Sequence, residues 1–409
     1  MLSLLGDSSV VENMDRFEAE YGPPEEDELK ESPELAQRRR KVQESKGREW
    51  NNLFGDNVNS DDDFKLGISF FPKASKDTGT GSKSAVSVRL YTDFYKSDII
   101  LASPLALKIA TESEEDKQDD TDFLSSIEIC FLGYSDVILM QNWEHVNDVL
   151  GLLNQQPKGS NDTDFSRVRE YLLAGQARYW RQLIFYSNLI DPSFLSTFKR
   201  HASCIEGIVR LRRRVYNNEA ALVKVIVATK QIFQRVSCDS FSTQGDERLK
   251  YFQKKVLPQI QEGKRSFTMI YVPSYFEFIS LRNLFLKKEM NFVSVTEYAR
   301  VSEVSRGRAR FLQGRKPIML YTGRAHFFGR HLIKGAKHLI VYGLPEHAEF
   351  YSDVVNMLNL GHEGNDEQMG SSCLVLFTKY EAHSLERICG KQNCERMLKG
   401  EKSTFMFVS

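Results

Sequence analysis

Residues 123–146 read FLSSIEICFLGYSDVILMQNWEHV. Within them Ile127–Leu132 is a short apolar run with β-branched residues and polar boundaries, which predicts a buried strand of a parallel sheet. Gly133, Tyr134, Ser135 and Asp136 follow it. Glycine brings no side chain, and a tyrosine phenol with a pKa near ~10 is a poor base at neutral pH. Asp136 is the one carboxylate of the four.

The same alternation of elements extends outward on both sides. Upstream, SDIILASPLALKIA (97–110) predicts a buried strand, a turn at Ser103-Pro104 and a helix. An acidic insertion at 112–122, ESEEDKQDDTD, reads as a disordered loop. Downstream, SRVREYLLAGQARYWRQ has helical spacing and leads into a strand at Leu183–Tyr186. Strands alternating with helices argue for parallel sheets covered on both faces.

A second series begins near Leu222. Val223–Ile232 reads as a strand and DERLKYFQKKVLPQIQEG as an amphipathic helix. TMIYVPS, NFVSVTE, IMLYT, HLIVYG and CLVLFT supply further strands, with helices at YFEFISLRNLFLKKE and SEVSRGRARFLQG. Gly263, Gly314 and Pro317 fall at the joints, as turn chemistry requires. The expected organisation is a charged, largely flexible arm at 1–63, a first α/β domain at 64–212, a linker at 213–221 and a second α/β domain at 222–409.

The arm is poor in apolar residues and rich in both charges, which predicts a solvated segment with one helix near Pro33–Glu49. Arg38, Arg39, Arg40 and Lys41 on that helix read as an import signal, an RNA contact or a charged exposed face. Gly79-Thr80-Gly81-Ser82-Lys83-Ser84 imitates a phosphate-cradling loop. A true one needs Gly directly before Lys-Ser, another Gly five residues earlier and a helix starting at once. Ser82 stands directly before the Lys and no Gly lies five residues ahead of it, and the following AVSVRLY alternates like a strand, so a surface loop is expected.

Fifty-five basic residues balance 55 acidic ones in 409, so no global field draws the chain to nucleic acid, and any RNA contact must be a local patch. Cysteines 130, 204, 238, 373, 389 and 394 show no CxxC spacing and read as reduced thiols. Cys389, Cys394 and His383 are the only zinc suspects and lack a fourth ligand. No run of about 18 apolar residues occurs, so no membrane partner is expected.

The ordered set SDIILASPLALK, SSIEICFLGYSDVILMQNWEHV, RQLIFYSN, FTMIYVPSYFEFISLRNLF, VSRGRARFLQG and IKGAKHLIVYGLPEHAEFYSDVVNML resembles the digestive organ expansion factor family. The resemblance runs from about Asn51 to the C-terminal EKSTFMFV. It implies two RecA-like parallel-sheet domains of the superfamily 2 helicase type, built like a DEAD-box protein without the catalytic motifs. It further implies a nucleolar component of the small-subunit processome, with processome proteins, pre-rRNA and snoRNA as partners and no cofactor. Family members carry more chain ahead of the matched part, including an acidic tail and the first strands. Met1 is therefore expected to fall inside the first domain, leaving it N-terminally incomplete.

The resemblance also fixes which positions to audit. Gly133, Tyr134, Ser135 and Asp136 stand where such ATPases carry Asp-Glu-Ala-Asp, whose first two acids serve Mg²⁺ and the attacking water. Tyr186, Ser187 and Asn188 replace Ser-Ala-Thr. Asp353-Val354-Val355-Asn356-Met357-Leu358-Asn359-Leu360 replaces the arginine-rich segment that stabilises the transferring phosphate. What remains for binding is a basic set: Arg306, Arg308, Arg310, Arg315 and Lys316 around one helix, and Arg324, Arg330, Lys334 and Lys337 around the next strand and loop. Arg330 lies about where helicases keep a strand-contacting arginine. His326, Phe327 and Phe328 interleave aromatic rings with these bases, as single-strand binders do, or else belong to the core. Trp143 reads either as a partner anchor or as a packed core residue. Two functions stay open: a non-enzymatic helicase-like scaffold for pre-rRNA processing, and an RNA helicase with a degenerate nucleotide site.

Overall fold

The computed structural model describes residues 10–22, 33–55, 58, 62–72, 86–112, 120–160, 163–263, 265–361 and 370–408. The chain divides into two compact units, one made of 1–188 with 192–209 and the other of 189–191 with 210–409.

In the first unit, strands β1 (Val10–Glu12), β2 (Lys65–Pro72), β3 (Val86–Leu90) and β4 (Ile99–Ala102) form a sheet in the order β1-β3-β2-β4. β1 and β3 are parallel, whereas β2 runs antiparallel to both β3 and β4. Here the structure departs from the expected parallel alternation. It also corrects the expectation of an arm at 1–63. Val10–Glu12 is a strand of this sheet, and the helix Met14–Tyr21 covers it, with Met14 and Phe17 against Leu66, Ile68, Val88 and Leu90. Asn13 ties the joint down by donating its side-chain amide to Leu90 O at 2.9 Å. Two further helices, Pro33–Glu44 and Arg48–Phe54, bury Trp50, whose ring also receives the Lys46 ammonium at 3.8 Å. A few apolar side chains placed at helical and strand spacing anchor the described parts of a segment rich in both charges. The glycine-rich imitation of a phosphate loop at 79–84 and most of the acidic insertion lie outside the described residues.

Ser103 caps the helix Pro104–Thr111, its hydroxyl accepting from Ala106 N at 3.0 Å, with Pro104 in the first turn where a missing N–H costs nothing. β5 (Ile129–Leu132) and β6 (Gln182–Phe185) then pair in parallel as a two-stranded sheet. One face, through Leu183, packs on Leu124, Val146 and Leu150. The other is bare: Ile129 and Phe131 are each 62% exposed. The predicted burial of this strand therefore holds on one face only. The expected helix before β6 is split into Glu170–Leu173 and Ala177–Trp180 by Gly175, which takes φ 69°. Trp143 is a core residue of this unit, packed on Phe194 and Phe185 and donating its indole N–H to Thr197 Oγ1 at 2.9 Å.

The second unit is built on seven strands: β7 (Lys230–Arg235), β8 (Thr268–Val272), β9 (Phe292–Val295), β10 (Ile318–Thr322), β11 (His338–Val341), β12 (Ser372–Phe377) and β13 (Thr404–Val408). Their order is β13-β7-β12-β11-β8-β10-β9, all parallel except β13, which pairs antiparallel with β7. Successive residues of the central strands serve opposite cores. Met269, Tyr271, Met319, Tyr321 and Leu339 face one, while Ile270, Val272, Ile318, Leu320 and Ile340 face the other. That is why these strands read as continuous apolar runs, and it is the doubly covered sheet of a RecA-like domain. The first strand begins later than expected, at Lys230, because Ala221–Lys224 forms a helical turn. The helix from Gln244 to Gln261 widens to a π-turn over Phe252–Val256, just ahead of Pro258, whose ring and missing N–H forbid a regular turn there.

A buried ion triad fastens this unit. The Arg248 side chain is 4% exposed and bonds Glu277 at 2.6 Å and Glu381 at 2.7 Å. Glu381 also accepts from Thr378 N and Leu344 N, so one acid joins the ends of β12 and β11. Cys389 and Cys394 lie in the core with the Cys394 thiol donating to Ala382 O, and burial pushes its pKa up to about 11. Among the described residues no cluster of His, Cys, Asp and Glu fits a metal ion, and no helix is long and apolar enough to cross a membrane.

Candidate functional site

The C-terminal ends of β5 and β6 hold two of the audited segments, and the structure joins them. Gly133 leads to Tyr134, which adopts the left-handed conformation (φ 49°, ψ 42°) and caps the short helix Ser135–Leu139 with its carbonyl. Its ring points outward at 62% exposure. Ser135 is buried and bound at both ends, its N–H to Tyr186 O at 3.0 Å and its hydroxyl to Leu132 O at 3.1 Å. Asp136 is buried as well. Its carboxylate accepts from Ser187 Oγ (3.4 Å), Asn188 N (3.5 Å) and Asn188 Nδ2 (3.4 Å). The last acid of the first segment thus holds the turn of the second. Tyr186 stacks on Phe131 at 6.5 Å on the open side.

In the second unit Asp353 begins the helical segment that replaces the arginine-rich motif. It lies on the helix Ala348–Val355 and pairs with Arg330, whose guanidinium also sits over the Phe350 ring at 4.8 Å. His326 reaches the same carboxylate through Nε2 at 3.3 Å and faces Tyr321 Oη through Nδ1 at 3.0 Å. Burial lowers the His326 pKa. The Asp353 hydrogen bond and charge oppose that shift, and the Arg330 charge adds to it. A neutral ring that donates from Nε2 to Asp353 and accepts from the tyrosine at Nδ1 satisfies every group. Tyr321 is itself fully buried, with burial raising its pKa far above the usual range, so this chain of groups has no exposed nucleophile and is a packing device.

The nine basic positions do not share one role. Arg308 donates to Leu332 O at 2.6 Å, Arg324 approaches Glu297 at 3.7 Å, and Arg330 is committed to Asp353. His326 and Phe327 are buried in the core, the second of the two readings open for these rings. Arg306, Arg310, Arg315 and Lys334 are exposed, with Lys316 and Lys337 half-buried beside them. Arg306 and Arg310 stand four residues apart on the helix Val301–Leu312, opposite its buried Val304, Gly307 and Phe311. Like charges at that spacing cost a few tenths of a kcal/mol, a cost the fold alone does not need. The loop carrying Lys334 closes on the end of that helix, where Gly335 leaves no room for a side chain against Leu312.

Comparison with known proteins decides what these remnants belong to. Residues 221–407 match the family model described as Utp25, C-terminal domain, and residues 1–209 match UTP25, NTP hydrolase-like domain. The chain belongs to the Utp25 family. This is the family of the sequence resemblance under its other name, U3 small nucleolar RNA-associated protein 25. The Xenopus tropicalis homologue of that name is 38% identical over 399 residues, 98% of this chain and 48% of the relative. The Homo sapiens homologue is 36% identical over 412 residues, 100% of this chain and 50% of the relative. Protein NUCLEOLAR FACTOR 1 of Arabidopsis thaliana is 38% identical over 401 residues, 97% of this chain and 50% of the relative. The chain spans about half the length of these curated relatives. A hypothetical ATP-dependent RNA helicase from Sulfolobus tokodaii covers 74% of this chain and 69% of its own at 14% identity, with a TM-score of 0.28, too loose an overlay to argue from.

One group of residues was not singled out in the sequence. Arg178, Arg181, Arg200 and His201 line a single cavity of the first unit. The alternation Arg178-Tyr179-Trp180-Arg181 was the available signal, hidden inside a segment that reads as an ordinary helix.

Proposed function

We propose that this chain is a non-enzymatic, helicase-like part of the nucleolar small-subunit processome, supporting pre-rRNA processing and 18S rRNA and 40S subunit formation by binding RNA and protein. It works in the nucleus, in the nucleolus, beside other processome proteins, pre-rRNA and snoRNA. The observation that carries the proposal is the placement of Asp136. The surviving acid of the first audited segment is spent on the 187–188 turn, and no second carboxylate stands next to it at Gly133–Ser135. Without a paired acid, metal positioning and water activation have no side chain to work through. The placement of Asp353 on Arg330 supports the same reading, since the guanidinium is neutralised inside the fold instead of being offered to a phosphate.

Membership of the Utp25 family supports the assembly role, and the exposed Arg306, Arg310, Arg315 and Lys334 supply a contact surface. The test is RNA-stimulated ATP turnover by the purified chain, measured alongside its sedimentation with processome particles from nucleolar extract. Background turnover with particle association is the expected pair of results. Turnover that depends on Asp136 would establish the degenerate-helicase alternative instead.

A further inference from the structure

At the N-terminal ends of β5 and β6, opposite the ends that carry Gly133–Asp136 and Tyr186–Asn188, the first unit holds a cavity of about 690 Å³. Arg178, Arg181, Arg200 and His201 line it, and among the described residues none that lines it is acidic. Arg181 is the fixed member. It is 4% exposed and immediately precedes β6. Its Nη1 donates to Asn154 Oδ1 at 3.0 Å and its Nη2 to His201 O at 2.9 Å. Asn154 cannot turn away, because its Nδ2 donates to Ser125 O at 3.1 Å and Ile127 O at 2.9 Å. The guanidinium is therefore held by two neutral oxygens and by no carboxylate. Burial lowers the Arg181 pKa, and the Cys130 thiol is the only group opposing that shift. Burial, then the Arg181 and Arg200 charges, lower the pKa of His201, again with no acid in opposition. A buried cation without a counter-charge is costly, and the His201 carbonyl at a helix end offsets only part of that cost.

A second kind of group stands beside the lining arginines in the chain, outside the lining itself. Tyr179 and Trp180, between the two arginines, are 37% and 50% exposed, and Trp180 packs against Tyr171 at 5.2 Å. The Arg178 guanidinium bonds Tyr179 Oη at 2.7 Å. Cations that take phosphates, alternating with exposed rings that take bases, are the means by which proteins hold single-stranded nucleic acid without reading its sequence. A phosphorylated peptide would use the cations and leave the rings idle.

We propose that this cavity and the exposed Tyr179-Trp180 pair next to it in the chain form a binding site for single-stranded RNA, with backbone phosphate held by Arg178, Arg181 and Arg200 and a base stacked at Tyr179-Trp180. The site rests on the RNA-binding function proposed above but is separate from the Arg306–Lys337 surface.

The test is fluorescence anisotropy of a labelled oligouridine on the 409-residue chain at several salt concentrations. Arg178 and Arg200 are exposed, so an R178Q/R200Q variant should melt with wild type. Each phosphate contact to a single strand contributes about 0.7 to the salt slope, so this variant should bind roughly 10- to 30-fold more weakly at about 0.1 M salt. Its slope should be shallower by about one unit or more. Trp180→Ala should weaken binding roughly five- to a hundred-fold and leave the slope unchanged. An R306Q/R310Q/R315Q variant run in parallel keeps the two surfaces apart: loss there with none in R178Q/R200Q overturns the cavity site and leaves the broader function standing. Unchanged affinity in a folded R178Q/R200Q chain overturns it directly. A phosphoserine peptide that binds in an Arg178- and Arg200-dependent way while oligouridine does not would give the cavity to a protein partner.

Discussion

Replacing Asp136 by Ala separates structural use of that acid from catalytic use. The carboxylate is 3% exposed and accepts bonds of 3.4, 3.5 and 3.4 Å, at the long end of the hydrogen-bond range. A good bond to a charged group contributes about 1.5–3 kcal/mol, so three long ones together are worth roughly 1–2 kcal/mol. The acid also lies in the first turn of the helix Ser135–Leu139, which adds a few tenths through the N-terminal partial charge. Ser187 and Asn188 are not fully buried, so water replaces the lost acceptor and limits the damage. The expected loss is about 1–2 kcal/mol, a melting shift of roughly 2–8 °C for a unit of this size by calorimetry. Asp136→Asn, which keeps shape and one acceptor, should lose less. ATP turnover, measured with and without RNA in the same samples, should stay at background in all three proteins. A catalytic acid or base contributes about 10²–10⁴-fold, so a turnover in wild type that falls that far in D136A, at unchanged melting temperature, would refute the structural assignment.

Other outcomes follow from the second unit. Arg248→Met should cost about 3–5 kcal/mol in chemical denaturation, because Glu277 and Glu381 remain buried without their counter-ion; a loss below about 1 kcal/mol would mean the triad is solvated. Glu346 has its pKa raised to about 7, first by burial and then by Asp191, against the pull of Arg387 and Arg324. The folded state therefore keeps a proton that the unfolded chain releases near ~4.3, and stability is lost as pH rises from there to about 7. Glu346→Gln should gain roughly 1–3 kcal/mol over wild type at pH 8 and nothing at pH 4, read from melting curves at the two pH values; an equal gain at both would refute the linkage. Neutralising Arg306, Arg310 and Arg315 together should reduce the salt slope of single-stranded RNA binding by about 0.7 for each phosphate they hold, without changing sequence preference. An unchanged slope would assign that surface to protein.

What the sequence revealed depended on how each element is buried. TMIYV, IMLYT and HLIV become β8, β10 and β11 in the middle of the second sheet, where both faces are covered and every residue but the terminal Thr268, Thr322 and His338 is apolar or aromatic. The edge strand β13 alternates exposed and half-buried residues and left no such signature. β2 lies inside its sheet and is buried over 66–69, but its antiparallel partners do not need the helix crossover that marks a parallel unit. β1 is three residues long and owes its existence to pairing with β3 across more than seventy residues, which no local pattern encodes. At the candidate site the missing acids were plain, since a side chain absent from the sequence is absent from the fold. The fate of the remaining charges was not. Arg324 and Arg330 read as surface bases like their neighbours, yet the fold supplies each with an acid from a distant element, Glu297 and Asp353.

Those two observations bear on each other. Asp136 and Asp353 both stand where a helicase would carry out nucleotide chemistry, and each binds residues at a neighbouring motif position: Ser187 and Asn188 for the first, Arg330 for the second. In an ATPase such loops are left under-tied, so that nucleotide can order them and its loss release them. Here carboxylates of the fold itself supply the ties. Restoring one catalytic residue would leave these ties in place. A Tyr134→Glu chain would regain an acid, yet Asp136 would still be turned into the 187–188 turn and Arg330 would still be neutralised by Asp353. ATP turnover should therefore remain at background in Y134E, and also in Y134E combined with D353A, which frees Arg330 but provides no second acid. Turnover rising well above background in either variant would show that the motif loops are open to chemistry, and that the ion pairs described here do not prevent it.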